Sequence, residues 1–526
     1  MEPLIFKRRG WLIAVAVASL GLYLSLALRY PLDYSLAFPR ASWTSLVEPT
    51  ELNAGLHITI YLCLTLLYLA GLHPLISDQR ENRSPSRLQI TFIFTAWIAF
   101  CIVLLFVAPA GESHDIFDYL FRGRMMTEYQ ANPLVEVPES LSLSTPFSRY
   151  LAWRKHVDTY GPIWETSSAV IALSVRQVTS WLGWWDDSFP VCPKSPESCR
   201  LLTVYITSYR LFAISLTGLS GWLIASIVRS SQAALIPLAL VAWLWNPLTL
   251  IATAVGGHND VLMLMLVLLS LWFLQRRYPS WAVVTLILAA HVKVTALIWL
   301  PAYALWIIWQ FGWRNAIKIG LLTGASILVL SWLLYAPYGG WKTLPRMLEE
   351  RSAFLANSIW QIVKYLLIEF RGWPARSAHQ LSTGLPNWLF SVGMFLIPLW
   401  MFNFRPKRWR RTSVPPEEAD QILWRVLGSI GVLYLLVGTF WFQHWYILWV
   451  ITPAVLLPLG PLTQNVLPWL AFGALSSNVL MDFLYTSTAK DAQPIRNYVL
   501  AVLFIWTPVL LAFSINRIAL RKGRED

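Results

Sequence analysis

Two aspartates placed three residues apart are the residues of this sequence best suited to chemistry. Asp115 and Asp118 share a face if their segment is helical, because residues i and i+3 are neighbours on a helix surface. Such a pair could hold a divalent cation (Mg²⁺ or Mn²⁺), with Asp115 as a ligand, or one carboxylate could act as a general base. The structural alternative is helix capping combined with an ion pair between Asp118 and Arg122.

A second polar group separates two apolar stretches near the middle of the chain. His258, Asn259 and Asp260 follow the glycines at positions 256 and 257. A helix that begins here would offer its N-terminus, which favours anions, to a phosphate group. Helix capping by Asn259 or Asp260 explains the same residues without any ligand.

Three further candidates are polar residues in strongly apolar surroundings. Lys293 lies inside an apolar run, where an ionisable group is costly and therefore indicates function unless it snorkels to the membrane surface. Gln443 and His444 interrupt a run of aromatic residues of the kind that forms a belt at a membrane surface. All three side chains could contact a polar substrate.

The composition indicates that membrane-spanning helices position these residues. Charged residues make up 13% of the chain, about half of the ~25% typical of soluble proteins, and apolar residues make up 56%. This excludes a water-soluble globular protein, a disordered chain and a coiled coil. The net charge of +13 does not indicate nucleic-acid binding, because the basic residues cluster in short gaps between apolar runs and no nucleic-acid-reading motif accompanies them. We therefore expect an all-α polytopic membrane protein.

The apolar runs predict about fourteen transmembrane helices in one domain, residues 1–526, with no soluble domain attached. The first is expected to be an uncleaved span. A fifteenth segment, Ile163–Trp184, contains Glu165 and Arg176 and is predicted to lie in the membrane interface instead. The fourteen predicted spans are Trp11–Leu28, Ala54–Ile76, Ile90–Val107, Leu201–Ile227, Ala233–Ile251, Val261–Leu274, Trp281–Ile298, Ala296–Phe311, Ile317–Leu334, Leu385–Phe404, Ile422–Phe440, Trp445–Leu462, Val466–Tyr485 and Tyr498–Ile518.

The distribution of Lys and Arg predicts the orientation of these helices. With Lys7, Arg8 and Arg9 in the cytoplasm, fourteen spans place every strong basic cluster on the same side, whereas fifteen would divide them. Both termini are then expected to be cytoplasmic, and we expect the protein in the cytoplasmic (inner) membrane. Two long loops, residues 108–200 and 335–384, are predicted to face outward and to carry amphipathic helices. The candidate polar residues converge on that outer face.

The cysteines allow two interpretations. Four cysteines are too few for a disulfide scaffold. Cys192 and Cys199 flank a Pro-rich segment and would pair if their loop faces an oxidising compartment. Otherwise they are two unpaired thiols.

Short motifs in a fixed order resemble those of a known family. The sequence is similar to bacterial integral-membrane glycosyltransferases of the GT-C superfamily, and most of all to the polyprenol-phosphate-mannose-dependent mannosyltransferases. The resemblance spans residues 111–446, which is most of the chain. The matching motifs are His114-Asp115 through Asp118-Tyr119 to Gly123-Arg124, Asn132-Pro133, Tyr160-Gly161-Pro162, Trp245-Asn246-Pro247, Gly256-Gly257-His258-Asn259-Asp260, Lys293-Val294-Thr295-Ala296 and His444-Trp445-Tyr446.

The resemblance implies a GT-C-like fold of many spanning helices with a catalytic cavity at the outer face. The implied enzyme moves mannose or another hexose from a polyprenyl-phosphate donor in the bilayer to a hydroxyl of a glycan, glycolipid or protein, with inversion at the donor carbon. Its catalytic residues would be Asp115, as general base, and Asp118. The residues expected to contact the substrate or its phosphate are Arg124, Tyr160, His258, Asn259, Asp260, Lys293, Gln443 and His444.

Two other functions fit the same composition. A transporter or flippase of lipid-linked sugars would have similar spans, but the inverted repeats typical of transporters are not evident in the sequence. A lipid-linked polysaccharide ligase commonly works from arginine and histidine residues without a carboxylate base. The role of Asp115 therefore separates the glycosyltransferase from both alternatives.

Overall fold

Helices make up nearly all of the regular structure. The computed structural model describes residues 2–37, 46–108, 110, 114–141, 150–184, 199–352, 355, 357–402, 415–458, 460, 466–487 and 494–522. Within these ranges there is no β-strand, and the single strand-like contact is an isolated antiparallel bridge between Pro31 and Val107. The predicted all-α class is confirmed.

The first part of the chain, up to residue 231, contains seven α-helices among its described residues. Two of them, α5 and α6, lie in the predicted first long loop. In chain order these helices are α1 (Glu2–Arg29), α2 (Leu32–Ala37), α3 (Glu51–Arg80), α4 (Arg87–Leu104), α5 (Asp115–Thr127), α6 (Pro162–Trp181) and α7 (Arg200–Ser231).

The rest of the described chain contains thirteen α-helices. The predicted second long loop includes α14 and α15. In chain order these helices are α8 (Ile236–Leu244), α9 (Pro247–Leu250), α10 (Asp260–Gln275), α11 (Pro279–Ala290), α12 (Leu300–Phe311), α13 (Trp313–Tyr335), α14 (Leu344–Ser352), α15 (Ile359–Arg371), α16 (Ala375–Met401), α17 (Pro416–Leu433), α18 (Leu448–Ala454), α19 (Leu467–Ser487) and α20 (Pro494–Lys522).

Many of these helices are suited to crossing a membrane. Among the described residues, ten helical segments are long and apolar enough, and a bent pair, Ala233–Leu244 with Pro247–Val255, raises the number to eleven. The remaining predicted spans fall on two shorter apolar helices, α10 and α11, and on the segment that contains the seven-residue α18. A polytopic membrane protein is therefore confirmed, although ten or eleven segments, and not fourteen, meet the requirements of length and composition.

The central polar motif lies where this helical path is interrupted. The side chain of Asn246 accepts a hydrogen bond from the Leu248 N–H at 2.9 Å, and Pro247 begins α9, so α8 and α9 meet at a bend of 52°. A π-helical turn, Ile251–Val255, follows, and α10 begins at Asp260. The four residues at 256–259 are therefore outside regular α-helix and are buried between two apolar helical segments.

The helix α6 occupies the segment predicted to lie in the membrane interface. It is 20 residues long, but its composition is not apolar enough for it to count among the candidate spans. One face is buried and includes Trp164, Glu165 and Ser168, whereas Val170 and Val178 are exposed. This helix therefore presents an apolar outer side while it buries a carboxyl group on its inner side.

Close backbone contacts hold α5 against α6 and α7. The hydroxyl groups of Ser168 and Tyr209 donate to the carbonyl oxygen of Tyr119 at 2.7 and 3.2 Å. A Cβ atom at Gly123 would lie 2.6 Å from the carbonyl oxygen of Ser168, so a larger residue cannot occupy this position without movement of the helices. The position of α5, and with it that of Asp115 in its first turn, is fixed by these contacts.

The second long loop packs on the first. The amide nitrogen of Asn132 donates to the carbonyl oxygen of Tyr338 at 2.8 Å, and the Tyr338 hydroxyl is hydrogen-bonded to Thr166 at 2.8 Å. Nδ1 of His156 lies 2.8 Å from a carboxylate oxygen of Glu350 in α14. Parts of the two loops therefore form one layer.

The cysteines differ in state. Cys63 and Cys101 are free thiols, and Cys199 is disulfide-bonded. Cys192, the partner under the first of the two interpretations, lies outside the described residues.

Candidate active site

The carboxylate of Asp115 lies at the start of α5 among aromatic side chains. Its Oδ1 accepts a hydrogen bond from the indole N–H of Trp153 at 3.0 Å. Its Oδ2 lies 4.0 Å from Nδ1 of His258, and the side chain is 10% exposed. The Trp153 ring packs in turn on Trp441, with 5.2 Å between ring centroids. Asp115 is thus held on one side by Trp153 and faces a histidine on the other.

Asp118 is more deeply buried than Asp115 and binds the backbone. Its two carboxyl oxygens accept hydrogen bonds from the N–H groups of Trp153 and Ala152, each at 3.3 Å. Burial raises the pKa of Asp118 to about 8; the guanidinium of Arg122 opposes this shift, Asp115 reinforces it, and the two backbone amides oppose it. Asp118 therefore anchors the segment that carries Trp153, one turn away from the more accessible Asp115.

Arg122 forms an ion pair with Asp158. The ion pair between Arg122 and Asp118, which the sequence offered as part of a purely structural explanation, is therefore wrong. Its Nε lies 3.2 Å from an Asp158 carboxylate oxygen, and its guanidinium also donates to the carbonyl oxygen of His156 at 3.0 Å. Arg122 binds Asp158, which is distant in sequence, because the loop at 150–160 folds back over α5 and supplies carbonyl acceptors as well as a carboxylate.

Glu165 lies in a buried cluster of ionisable side chains with Asp158 and Arg122. It is fully buried in α6. Burial raises the pKa of Glu165 well above its ordinary value, the neighbouring Asp158 raises it further, and Arg122 lowers it. Asp158 also accepts a hydrogen bond from the N–H of Tyr160 at 3.0 Å, so this cluster supports the loop that leads to Tyr160.

Two histidines from distant parts of the chain meet beside Asp115. The ring of His258 stacks on Trp445, with 3.6 Å between centroids and 23° between planes, and lies 6.0 Å from the ring of His444. Nδ1 of His444 is hydrogen-bonded to the amide nitrogen of Asn478 in α19. The turn before α10, the segment before α18 and α19 therefore each contribute a polar group to one cluster.

The turn that carries His258 requires glycine at two positions. Gly257 has a φ of +63°, a left-handed conformation that glycine adopts without strain. A Cβ atom at Gly257 would also lie 3.0 Å from the side chain of Ile116, and one at Gly256 would lie 2.6 Å from the ring of His258. Gly257 therefore lets the turn pack directly on α5, and Gly256 leaves room for the ring of His258.

Lys293 and Asp260 form a buried ion pair next to this turn. The ammonium lies 2.8 and 3.0 Å from the two carboxylate oxygens, and the side chains are 2% and 0% exposed. The Trp449 indole donates to Asp260 at 2.7 Å, and the rings of Tyr160 and Tyr446 lie 5.4 and 4.8 Å from the ammonium. These hydrogen bonds and cation–π contacts offset the loss of hydration.

Tyr160 reaches Lys293 because its loop runs along the end of α11. The N–H of Gly161 donates to the carbonyl oxygen of Val292 at 3.0 Å, and that of Ile163 donates to His291 at 3.1 Å. A Cβ atom at Gly161 would overlap the carbonyl group of His291. The glycine of the Tyr160-Gly161-Pro162 motif is therefore required for this contact between the first long loop and the membrane helices.

The other predicted residues are placed differently. Arg124 is bound to both carboxylate oxygens of Glu128, with its Nε 2.9 Å from each, and is thus engaged in a pair of its own. Asn259 is buried beside His258, and its side-chain amide has no hydrogen-bond partner among the described residues. Gln443 is partly buried and directly precedes His444.

Sequence reasoning missed Trp153 and Asn478. Each is a partner of a predicted residue: Trp153 holds both aspartates, and Asn478 holds His444. The sequence contains 30 tryptophans, and nothing in the composition around Trp153 distinguishes it from the rest. Only the fold, which brings the loop at 150–160 over α5, identifies it.

The described residues include no group of three or more His, Cys, Asp or Glu side chains that could hold a metal ion. The predicted ligand, Asp115, already accepts a hydrogen bond from Trp153. A cation at Asp115 would take its other ligands from groups of another kind, such as water or the oxygens of a substrate phosphate.

The architecture and this site together define an all-α membrane protein with an acid and two histidines at its centre. Residues 13–310, more than half of the chain, match the family described as "Alpha-(1->6)-mannopyranosyltransferase, N-terminal domain". The chain belongs to this family. Residues 198–430 also match glycosyltransferase family 87. The predicted kinship with GT-C-like mannosyltransferases is confirmed.

One curated relative matches a smaller part of the chain. The alpha-(1->6)-mannopyranosyltransferase A of Corynebacterium glutamicum is 27% identical over 216 residues, which are 40% of this chain and 37% of the relative. The match therefore spans well under half of that protein. The family match at 13–310 includes Asp115, His258 and Lys293, whereas His444 lies beyond it.

Proposed function

We propose that this chain is a glycosyltransferase that moves a hexose, by preference mannose, from a polyprenyl-phosphate donor to a hydroxyl of a glycan, glycolipid or protein. Family membership supports sugar transfer, and the many apolar helices support a donor whose tail lies in the bilayer. The observation that carries the proposal is the Asp115 carboxylate, which Trp153 holds and which faces His258 at 4.0 Å. The reaction belongs at the outer face of the cytoplasmic membrane, on the side opposite the basic clusters.

In the proposed reaction Asp115 is the general base. It takes the proton of the acceptor hydroxyl while that oxygen forms a bond to the anomeric carbon. The bond between the anomeric carbon and the phosphate oxygen breaks, polyprenyl phosphate leaves with the bonding electrons, and the anomeric configuration is inverted. A well-placed base contributes roughly 10²- to 10⁴-fold to the rate.

The histidine cluster is the proposed site for the leaving phosphate. His258 and His444 offer ring N–H groups, and the unpaired amide of Asn259 offers a further donor beside them. Hydrogen bonds of this kind stabilise charge that develops on phosphate oxygens in the transition state. Lys293 contacts the Tyr160 ring and is paired with Asp260, which lies two residues after His258, so these contacts help to hold the turn that carries His258.

The test measures transfer of radiolabelled mannose from polyprenyl-phosphate mannose in proteoliposomes that contain the purified protein. Asp115→Asn keeps the size of the side chain and removes the base, so we expect the rate to fall by at least about 10²-fold. Glu139→Gln, at an exposed acid of the same loop, is the control and should transfer at the wild-type rate.

Two results would contradict the proposal. Transfer by Asp115→Asn at the wild-type rate would remove the base from the mechanism. Movement of lipid-linked sugar across the bilayer by the wild-type protein, without any transfer, would instead favour a transporter. Family membership weighs against the transporter, and the anomeric configuration of the product tests inversion directly.

A further inference from the structure

We propose that Asp118 serves the reaction through Trp153: it fixes the loop at 152–153, and the Trp153 indole then aims the Asp115 carboxylate. Asp118 is thereby a positioning residue, and Asp115 is the one catalytic carboxylate of the pair. This inference rests on the proposed function, because it assigns the second aspartate a role in the same site.

One residue bridges the two carboxyl groups. The backbone N–H of Trp153 donates to Asp118 at 3.3 Å, and its indole N–H donates to Asp115 at 3.0 Å. A second backbone bond, from Ala152 to the other oxygen of Asp118, prevents the loop from turning about the first. The two hydrogen bonds fix the backbone from which the indole extends, so the direction of the indole N–H follows from Asp118.

The far side of the indole is held as well. The Trp153 ring lies 5.2 Å from Trp441 and 6.0 Å from His156, measured between ring centroids. Trp441 comes from the segment that leads to His444, so the two halves of the site meet at this ring. The indole therefore has little freedom to swing away from Asp115.

The geometry separates the tasks of the two oxygens of Asp115. Oδ1 accepts the indole N–H, and Oδ2 faces His258 at 4.0 Å, the direction from which a substrate would meet both groups. Without the hydrogen bond from the Trp153 indole, the Asp115 carboxylate could rotate about its Cβ–Cγ bond. A misplacement of about 1 Å in a reacting group costs on the order of 10²-fold in rate.

Trp153→Phe is the primary test, because it retains an aromatic ring and removes the N–H donor. In the proteoliposome assay we expect kcat to fall roughly 10- to 100-fold, while KM for the lipid-linked donor stays within about threefold of wild type, since the base is misaligned and the donor site is untouched. Trp181→Phe is the matched control: it makes the same substitution at a tryptophan of α6 that is 84% exposed, and kcat should stay within about threefold of wild type because the hydrogen bond to Asp115 is kept.

A double-mutant cycle tests whether Asp118 acts through Trp153. Asp118→Asn alone should lower kcat as Trp153→Phe does. The kcat of the double variant should be little lower than that of either single variant, because both changes disturb the same hydrogen bond, from the Trp153 indole to Asp115. Losses that multiply in the double variant, or a wild-type kcat in Trp153→Phe, would overturn the inference.

The outcomes distinguish this inference from the proposed function. If Asp115→Asn is inactive and Trp153→Phe is fully active, the base stands and the positioning role fails. If Asp115→Asn is active, Asp115 is not the base, and the positioning role fails together with the proposed function. Donor binding and thermal unfolding show whether Asp118→Asn is folded; if it is not, the comparison of Trp153→Phe with Trp181→Phe decides alone.

Discussion

The ammonium of Lys293 and the carboxylate of Asp260 neutralise each other where the membrane helices meet the first long loop. Asp260 begins α10, Lys293 follows the end of α11, and both side chains are almost completely buried. The Tyr160 ring contacts the ammonium from the loop side. Stability and site geometry therefore depend on the same two charges.

We predict that neutralising one partner of this pair destabilises the protein strongly. Lys293→Met or Asp260→Asn leaves an unpaired buried charge, which costs about 3–5 kcal/mol. The double variant removes both charges, and Asn at 260 retains an oxygen for the Trp449 indole, so the double variant should regain much of the loss. The midpoint of thermal unfolding in detergent, followed by tryptophan fluorescence, measures this. Lys318→Met, at an exposed lysine of α13, is the control, and single variants as stable as wild type would contradict the prediction.

Gly161→Ala should disrupt the contact between the first long loop and the end of α11. The added methyl group would overlap the carbonyl group of His291, so the loop must move and carry Tyr160 away from Lys293. We expect both the thermal stability and the transfer rate to fall. Gly320→Ala in α13, where an added Cβ meets no atom within 4 Å, should instead stabilise the helix by about 0.5–1 kcal/mol. Equal behaviour of the two variants would show that the close approach at Gly161 is unimportant.

Glu165→Gln should change how stability depends on pH. The pKa of Glu165 is raised in the folded protein by burial, so ionisation of this group opposes folding. The favourable contribution of Glu165 to the free energy of unfolding is complete below the ordinary pKa of 4.5. It is lost as the pH rises toward the pKa of Glu165 in the folded protein. The Gln variant lacks this loss, and its unfolding temperature relative to wild type should increase as pH rises above about 4.5. Glu369→Gln, at an exposed position of α15, should show a difference that is constant with pH.

The candidate site could be predicted in part, because its members stand out by spacing or by surroundings. Asp115 was predicted from its spacing to Asp118 and His258 from a polar group between two apolar stretches, whereas Lys293 and His444 interrupt apolar or aromatic runs, where a polar residue is costly unless it has a partner or a function. The sequence could not show which partner each would take. Lys293 pairs with Asp260, which begins another helix. Arg122 pairs with Asp158 and not with the neighbouring Asp118. Both contacts depend on how segments that are distant in sequence pack together.

The fold was predictable to a similar degree. The low charge and the long apolar runs predict an all-α membrane protein, and the glycines at 256 and 257 predict the interruption before α10. Hydropathy does not show where an apolar run bends, so ten or eleven of the fourteen predicted spans coincide with described helical segments that are long and apolar enough to cross a membrane. Turns at His291–Lys293 and at His444–Ile447 shorten the helices beside them to 12 and 7 residues.

The short helices α10 and α11 have a consequence for biosynthesis. With 16 and 12 residues, each falls below the ~20 residues that a single helix needs to cross a bilayer. The Ser270 hydroxyl in α10 donates to the Ala282 carbonyl oxygen in α11 at 2.6 Å, and the opposite charges of Asp260 and Lys293 lie at one end of this hairpin. Neither helix is suited to partition into lipid by itself, whereas the two together present no net charge at that end. We therefore predict that the hairpin, and not the single helix, is the unit that leaves the translocon.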